Sequence, residues 1–129
     1  MLLDTHTLIW AMMVPEKLSR KAHGALSKAS NRAVSSVSLY EITLKASLGK
    51  WPEVDHLLSI DLTRELQNLD FDIIPANGQI MERAGSFKCE HRDHFDRIIV
   101  ATGIEYGLDL VSKDTALDVI ADGKLNRIW

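Results

Sequence analysis

Short apolar runs alternate with stretches of helical period along the chain, which is the pattern of strands and helices in turn. The first run, residues 1–3, stops directly at Asp4 and leads into a helix predicted over residues 7–13. We predict five strands at residues 1–3, 33–37, 71–75, 108–111 and 125–128. We predict helices at residues 7–13, 16–29, 38–48, 54–69, 79–85 and 93–106, with one more short helix before the last strand.

This alternation predicts the fold class and the order of the layers. Strands that alternate with helices form a parallel sheet covered on both faces, joined by right-handed crossovers. We therefore expect an α/β fold in which residues 1–129 form a single three-layer α/β/α domain around a central parallel sheet of four to five strands. No repeat or linker divides the chain.

Composition and charge narrow the function classes. The chain is 46% hydrophobic and 26% charged, which is typical of a globular domain, and its net charge is -3. That charge argues against a protein that simply coats DNA, although not against an enzyme whose bound metal meets a phosphate. Cys89 is the only cysteine, and no apolar run approaches the ~20 residues that span a bilayer. We expect a cytoplasmic protein with no membrane partner and no secretion signal.

The acidic residues supply the candidate chemistry. Each lies at the carboxyl end of a predicted strand or in the first turn of a helix: Asp4, Glu41, Asp93, Asp96 and Asp114. In an open parallel sheet these positions share one edge, where ligands bind. Carboxylates that converge there repel one another unless a cation is present, and an oxygen-only set suits Mg²⁺ or Mn²⁺ rather than zinc. Such a site fits metal-assisted attack of water on a phosphodiester.

Each acid also has an ordinary structural interpretation. Ser38 and Glu41 have the spacing of a capping box, and Glu41 can pair with Lys45 one turn later. Taken alone, we favour capping for Glu41 by about two to one. Asp4 is the hardest to explain in this way, because an acid that directly ends an apolar strand has no local partner.

The acids near the long helix have similar alternatives. Asp93 can cap that helix and pair with Arg97, and Asp96 lies where the helix dipole favours an anion. Asp114 suits an unexceptional turn. Arg97 is our candidate for contacting substrate or for pairing with Asp93. His91, in the preceding loop, is expected to be solvated.

Several segments together carry a family resemblance that runs from residue 1 to residue 129. They are LLDTHTLIW, SSVSLYEITLKASLGKW, HRDHFDRIIVATG, LVSKDTAL and the terminal RIW. The chain resembles the PIN-domain ribonucleases, and within them the VapC-type toxins of bacterial toxin–antitoxin pairs. The resemblance implies a Mg²⁺- or Mn²⁺-dependent endoribonuclease that cleaves RNA, a cognate antitoxin whose tail blocks the active site, and a homodimer.

The resemblance also assigns roles to individual residues. Asp4 and Asp96 match primary metal ligands, and Glu41 and Asp114 complete the acidic set. Thr5 and Ser112 match hydroxyl positions beside the metal, Asp93 matches an accessory acid, and His94 stands where the subgroup tends to have proline. Water activated by the ion would attack phosphorus in line and leave a 5′-phosphate and a 3′-hydroxyl. We place the antitoxin over the first two helices and the region of Trp51.

Rival interpretations of the acids remain open. A receiver-like module needs two adjacent early acids and a lysine after its last strand, and only Lys113 meets this pattern. A haloacid-dehalogenase-type phosphatase needs a second aspartate where this chain has His6. In a non-catalytic module the acids would only bind a cation or a basic peptide. Metal-dependent RNA cleavage that EDTA abolishes separates the nuclease from these alternatives.

Overall fold

A five-stranded parallel sheet forms the centre of the molecule. The computed structural model describes residues 1–129, and the strands follow the order β3-β2-β1-β4-β5. Their bounds are β1 Leu2–Leu3, β2 Arg32–Ser35, β3 Phe71–Ile74, β4 Leu110–Val111 and β5 Arg127–Ile128. All four neighbouring pairs are parallel. The predicted α/β class and the count of strands are confirmed.

Seven α-helices connect and cover the strands. They are α1 Thr5–Met13, α2 Arg20–Lys28, α3 Ser36–Ser47, α4 Leu62–Asn68, α5 Gly78–Ser86, α6 His94–Tyr106 and α7 Ala116–Ala121. Two 3₁₀ segments, Pro15–Lys17 and Pro52–Ser59, precede α2 and α4. None of these helices has the length and apolar character that crossing a membrane requires.

The sheet is buried on both faces. Leu2 and Leu3 are adjacent in β1 and fully buried, yet they belong to two different hydrophobic clusters, because successive strand residues point to opposite faces. The Leu2 cluster includes residues of α5, α6 and α7, and the Leu3 cluster includes residues of α1, α3 and α4. Helices therefore form one layer on each side of the sheet, as predicted.

The helices differ from the predicted ones where a polar side chain caps the chain. The helix predicted from residue 16 begins at Arg20, because the Ser19 hydroxyl accepts a hydrogen bond from the Ala22 amide. The helix predicted over 54–69 is divided, and Asp61 caps its second part by accepting from the Arg64 amide. The strand predicted over 33–37 ends at Ser35, which caps α3.

The topology places a crevice at the carboxyl end of β1. From β1 the chain builds outward to β2 and β3 on one side, and β4 and β5 lie on the other. Such a change of direction is where open parallel sheets bind ligands. Asp4 follows β1 directly, α3 begins immediately after β2, and Ser112 follows β4.

Candidate active site

Asp4 lies at the centre of this edge and is almost fully buried. It caps α1, with its Oδ1 atom 2.6 Å from the amide nitrogen of Thr7, so the expectation that Asp4 has no local partner is wrong. Burial raises the pKa of Asp4 above its ordinary value, and hydrogen bonds from Ser112 and Thr7 offset only part of that rise. A carboxylate held in this way is costly to ionise, which is characteristic of functional sites.

Glu41 lies beside the Asp4 strand end through a contact with Thr5. The Thr5 hydroxyl donates to Glu41 Oε2 over 2.5 Å, and it also lies 3.1 Å from Ser38 Oγ. Lys45 Nζ approaches the other oxygen of Glu41, also at 2.5 Å. The capping-box interpretation is wrong, because Ser35 caps α3 and Glu41 is therefore in its second turn. The Glu41–Lys45 pair is confirmed.

Asp96 lies in the first turn of α6, at the same edge of the sheet. Its Oδ2 atom lies 2.8 Å from His91 Nε2, and only a quarter of its side chain is exposed. The pKa of Asp96 is raised to about 6, mainly because the carboxylate is buried, with smaller increases from the charges of Asp93 and Asp114 that the interaction with His91 partly offsets. Asp93 caps the helix, as the structural alternative predicted, by accepting from the amides of Phe95 and Asp96.

Ser112 and Asp114 complete the edge after β4. Ser112 is fully buried, and its hydroxyl both bonds Asp4 and accepts from the Asp114 amide over 3.0 Å. The Asp114 side chain is exposed and accepts from the Ala116 amide, so the predicted turn is present as well. Its charge still reaches Asp96, whose pKa it raises.

The predicted acids thus share one edge without forming a closed cage. Direct contacts connect Asp4 with Ser112 and Glu41 with Thr5, and an electrostatic interaction connects Asp96 with Asp114. No three acidic, histidine or cysteine side chains converge on one point as metal ligands do. Carboxylates repel one another when no cation lies between them. In this structure Glu41 pairs with Lys45 and Asp96 pairs with His91, and neither carboxylate contacts another.

The chemistry of the donors nevertheless fits a hard divalent cation. The candidate ligands at this edge are carboxylate and hydroxyl oxygens, which Mg²⁺ and Mn²⁺ prefer. The Thr7 hydroxyl lies beside the Asp4 carboxylate and is the one buried side-chain nitrogen or oxygen without a well-formed hydrogen bond. An unpartnered oxygen next to a buried acid leaves capacity for a further polar partner.

Sequence reasoning missed three basic residues at this edge. Lys45 was considered only as a helix pair or a distant basic residue, although it bonds buried Glu41. His91 is half-buried against Asp96, so the expectation of a solvated loop histidine is wrong. Arg127 pairs with both carboxylate oxygens of Asp118, which is the main cause of its raised pKa, and it also donates to the Ser112 carbonyl over 2.9 Å. The only signal for Arg127 was its place in a strand at the same edge.

Arg97 has a different role from the two that were predicted. It does not pair with the Asp93 side chain. Its guanidinium donates to the backbone carbonyls of Ala84, Phe87, Cys89 and His91. Those bonds occupy its donors and hold the loop that carries His91, so Arg97 positions a partner of Asp96.

A groove of about 820 Å³ opens beside the acids, between α3 and the start of α6. Its mainly apolar wall includes Val37, Tyr40 and Phe95, and Lys45 and Arg92 add positive charge. None of the four predicted ligands lines it. Lys45, which bonds Glu41, connects this groove to the acidic edge.

The parallel sheet with acids at the carboxyl ends of its strands defines the class of the protein. The family model for the PIN domain matches residues 1–123, and the chain belongs to this family.

The chain is similar in sequence to a ribonuclease and similar in fold to several solved structures. The chain is 31% identical to Ribonuclease VapC22 of Mycobacterium tuberculosis over 119 residues, covering 90% of this chain and 88% of that protein. The crystal structure of FitAcB from Neisseria gonorrhoeae matches with a TM-score of 0.68 at 18% identity, covering 98% of this chain and 94% of that one. VapBC2 from Rickettsia felis, bound to a promoter DNA fragment, matches at 0.66 and 19% identity, covering 98% and 95%. The predicted resemblance to VapC-type PIN domains is confirmed.

Proposed function

We propose that this protein is a Mg²⁺- or Mn²⁺-dependent endoribonuclease of the VapC type, in which Asp4, Glu41, Asp96 and Asp114 hold the cation. The observation that carries the proposal is the Asp4 side chain, a buried carboxylate at the switch point of a parallel sheet. Asp4 also caps α1, but a helix cap does not require burial, and burying a carboxylate without a counter-charge costs free energy. The 31% identity to a ribonuclease supports the activity.

The residues around the acids keep them in place for the reaction. Ser112 holds Asp4, and Thr5 and Lys45 hold the two oxygens of Glu41. His91 orients Asp96 from the loop that Arg97 fixes. A bound divalent cation would lower the pKa of water and stabilise negative charge on the phosphodiester. The Thr5 and Ser112 hydroxyls would orient water or a substrate phosphate, and cleavage would leave a 5′-phosphate and a 3′-hydroxyl.

We also propose that a cognate antitoxin covers the site and that the protein forms a homodimer. The solved structures similar to this chain include a toxin–antitoxin complex from Klebsiella pneumoniae, and that likeness supports an antitoxin partner. A small apolar groove of about 250 Å³ lies between α1 and α2, with Met12, Leu18 and Leu26 among its lining residues. This groove fits the expected place of the antitoxin over the first two helices.

The experiment that tests the activity compares two aspartates at opposite ends of the sheet. Asp4→Asn keeps the shape of the side chain and removes its charge, whereas Asp109→Asn changes an exposed aspartate just before β4. We expect single-stranded RNA to be cleaved by the wild-type protein and by D109N in Mn²⁺, and not by D4N or in EDTA. End-group analysis should give 5′-phosphates. Normal cleavage by folded D4N would refute the assignment.

The rival, a cation-binding module without catalysis, makes a different prediction for the same samples. It predicts Mn²⁺ binding by the wild-type protein with no cleavage of any RNA. A receiver-like module predicts uptake of phosphate from a small phosphodonor instead.

A further inference from the structure

A strip of aromatic rings begins beside the acidic edge and is not used by the proposed chemistry. His6, two residues after Asp4, lies 4.7 Å from the Trp51 ring and 6.1 Å from the Trp10 ring, measured between centroids. Trp10 lies in turn 5.6 Å from Trp129. All three tryptophans of the chain therefore meet in this strip, which we define as His6, Trp10, Trp51 and Trp129.

The strip lies where the core meets the surface, because Trp51 packs against the Leu3 cluster while His6 is exposed. The three tryptophans are half-buried, and His6 is exposed. The two tryptophans that flank His6 bury most of their own area and support a histidine ring whose outer part faces solvent. The aromatic face that this arrangement offers to a ligand is therefore the exposed His6 ring and the edge of Trp51 beside it.

Lys45 connects this strip to the acids. Its ammonium group lies 2.5 Å from Glu41 and 5.4 Å from the centre of the Trp51 ring, so one side chain contacts both. On the other side, His6 follows Asp4 by two residues at the start of α1. A ligand on the His6 ring would therefore lie on the same edge as the position proposed for the reacting phosphate.

We infer that the His6–Trp51 surface stacks an unpaired nucleobase of the RNA next to the phosphate that is cleaved. The inference rests on the proposed ribonuclease function and adds how the substrate is held. Aromatic rings bind single-stranded nucleic acid by stacking on base faces, which requires no sequence code and tolerates a net negative charge better than phosphate contacts do. It also explains why a histidine close to Asp4 is propped by two tryptophans instead of facing the acids as a hydrogen-bonding group.

The test separates stacking from every other role of a histidine. His6→Ala removes the ring, and His6→Phe keeps a ring that cannot ligate a metal or move a proton. Trp51→Ala and Trp51→Phe form a second matched pair, and Tyr106→Ala is the control, since Tyr106 is half exposed at the far end of α6. Binding of a short fluorescein-labelled single-stranded RNA is measured by anisotropy in EDTA, where no cleavage occurs, and cleavage is measured separately in Mn²⁺.

We expect H6A and W51A to weaken RNA binding by about 5- to 150-fold, the range for the loss of one base–aromatic stack. H6F, W51F and Y106A should stay close to wild type, and an abasic strand of the same length should not distinguish H6A from wild type. Unchanged RNA binding by folded H6A and W51A would overturn the inference and leave the strip to a protein partner. Loss of cleavage in H6F with RNA binding retained would also overturn it, in favour of a chemical role for His6.

The binding measurement in EDTA and the cleavage measurement in Mn²⁺ test this inference and the proposed function separately. If the wild-type protein binds RNA through the strip but cleaves none in Mn²⁺, the stacking surface stands and the nuclease proposal fails. If the wild-type protein cleaves RNA and H6A binds and cleaves equally well, the nuclease proposal stands and the stacking surface fails.

Discussion

Replacing Asp96 by asparagine should make the protein more stable while it removes activity. Asp96 is the proposed ligand whose pKa rises to about 6, mainly because its carboxylate is buried at the start of α6. The folded protein therefore holds the proton of Asp96 more tightly than the unfolded chain, in which the pKa is near 3.8. The ionised carboxylate consequently opposes folding at neutral pH. Asparagine resembles the protonated acid and can still accept the hydrogen bond from His91.

The magnitude follows from the two pKa values. At about 1.4 kcal/mol per pH unit, a rise from 3.8 to about 6 corresponds to about 3 kcal/mol of lost stability. A quarter of the side chain is exposed, so water reduces this cost, and we expect D96N to gain about 2 kcal/mol at pH 7. The stabilising effect of the proton is complete below the unfolded pKa and is lost as the pH rises through about 6. The difference between wild type and D96N should therefore vanish near pH 3.8 and be full above pH 6.

Urea unfolding in EDTA at a series of pH values measures this difference. D109N is the control, because Asp109 is exposed and its unfolding midpoint should follow that of the wild type. In Mn²⁺ the order of stability of the two proteins should change. A cation that binds the folded wild type stabilises it by mass action, whereas D96N lacks one of the ligands. A destabilised D96N at pH 7, or a stability gain that is the same at pH 4 and pH 7, would refute the reasoning.

Two further predictions concern the basic residues around the acids. Lys45→Met should lower the unfolding free energy by about 1–3 kcal/mol, because Glu41 loses its counter-charge, and saturating Mn²⁺ should recover more stability in K45M than in wild type, as urea unfolding would measure. Arg97→Ala should cost about 2–4 kcal/mol and release the loop at residues 87–91, which faster amide hydrogen exchange would detect. Arg97→Lys should not rescue it, because lysine cannot reach several carbonyls at once. Equal exchange in R97A and wild type would contradict that role.

Much of the fold follows from patterns that local physics produces. The apolar runs give the strands their place, since a buried parallel strand must be apolar on both faces, as Leu2 and Leu3 are. The ends of helices were harder to predict from the sequence, because several neighbouring residues can each cap the same helix. Ser35, Ser36 and Ser38 all offer a capping hydroxyl, and the structure uses Ser35, which moves Glu41 from a capping position into the second turn.

The candidate site was predictable in part for the same reason. Asp4, Glu41, Asp96 and Asp114 follow from strand ends and helix starts, which topology brings to one edge. Their role as metal ligands stays a prediction. Side-chain partners that are distant in sequence were not predictable, because Arg97 contacts carbonyls of a loop whose course no period encodes. The aromatic strip was not predicted for a similar reason, because residues 10, 51 and 129 are distant in sequence and come together only in the folded chain.

The central claim is that four carboxylates, distant along the chain, together bind one hard divalent cation. Anomalous scattering from crystals grown in Mn²⁺ tests it directly, because the ion identifies its own ligands. We predict a manganese peak at the carboxyl end of β1, within bonding distance of Asp4 and Asp96, with Glu41 and Asp114 coordinated directly or through water. A fully occupied manganese site elsewhere on the molecule, with these four carboxylates left without metal, would contradict it.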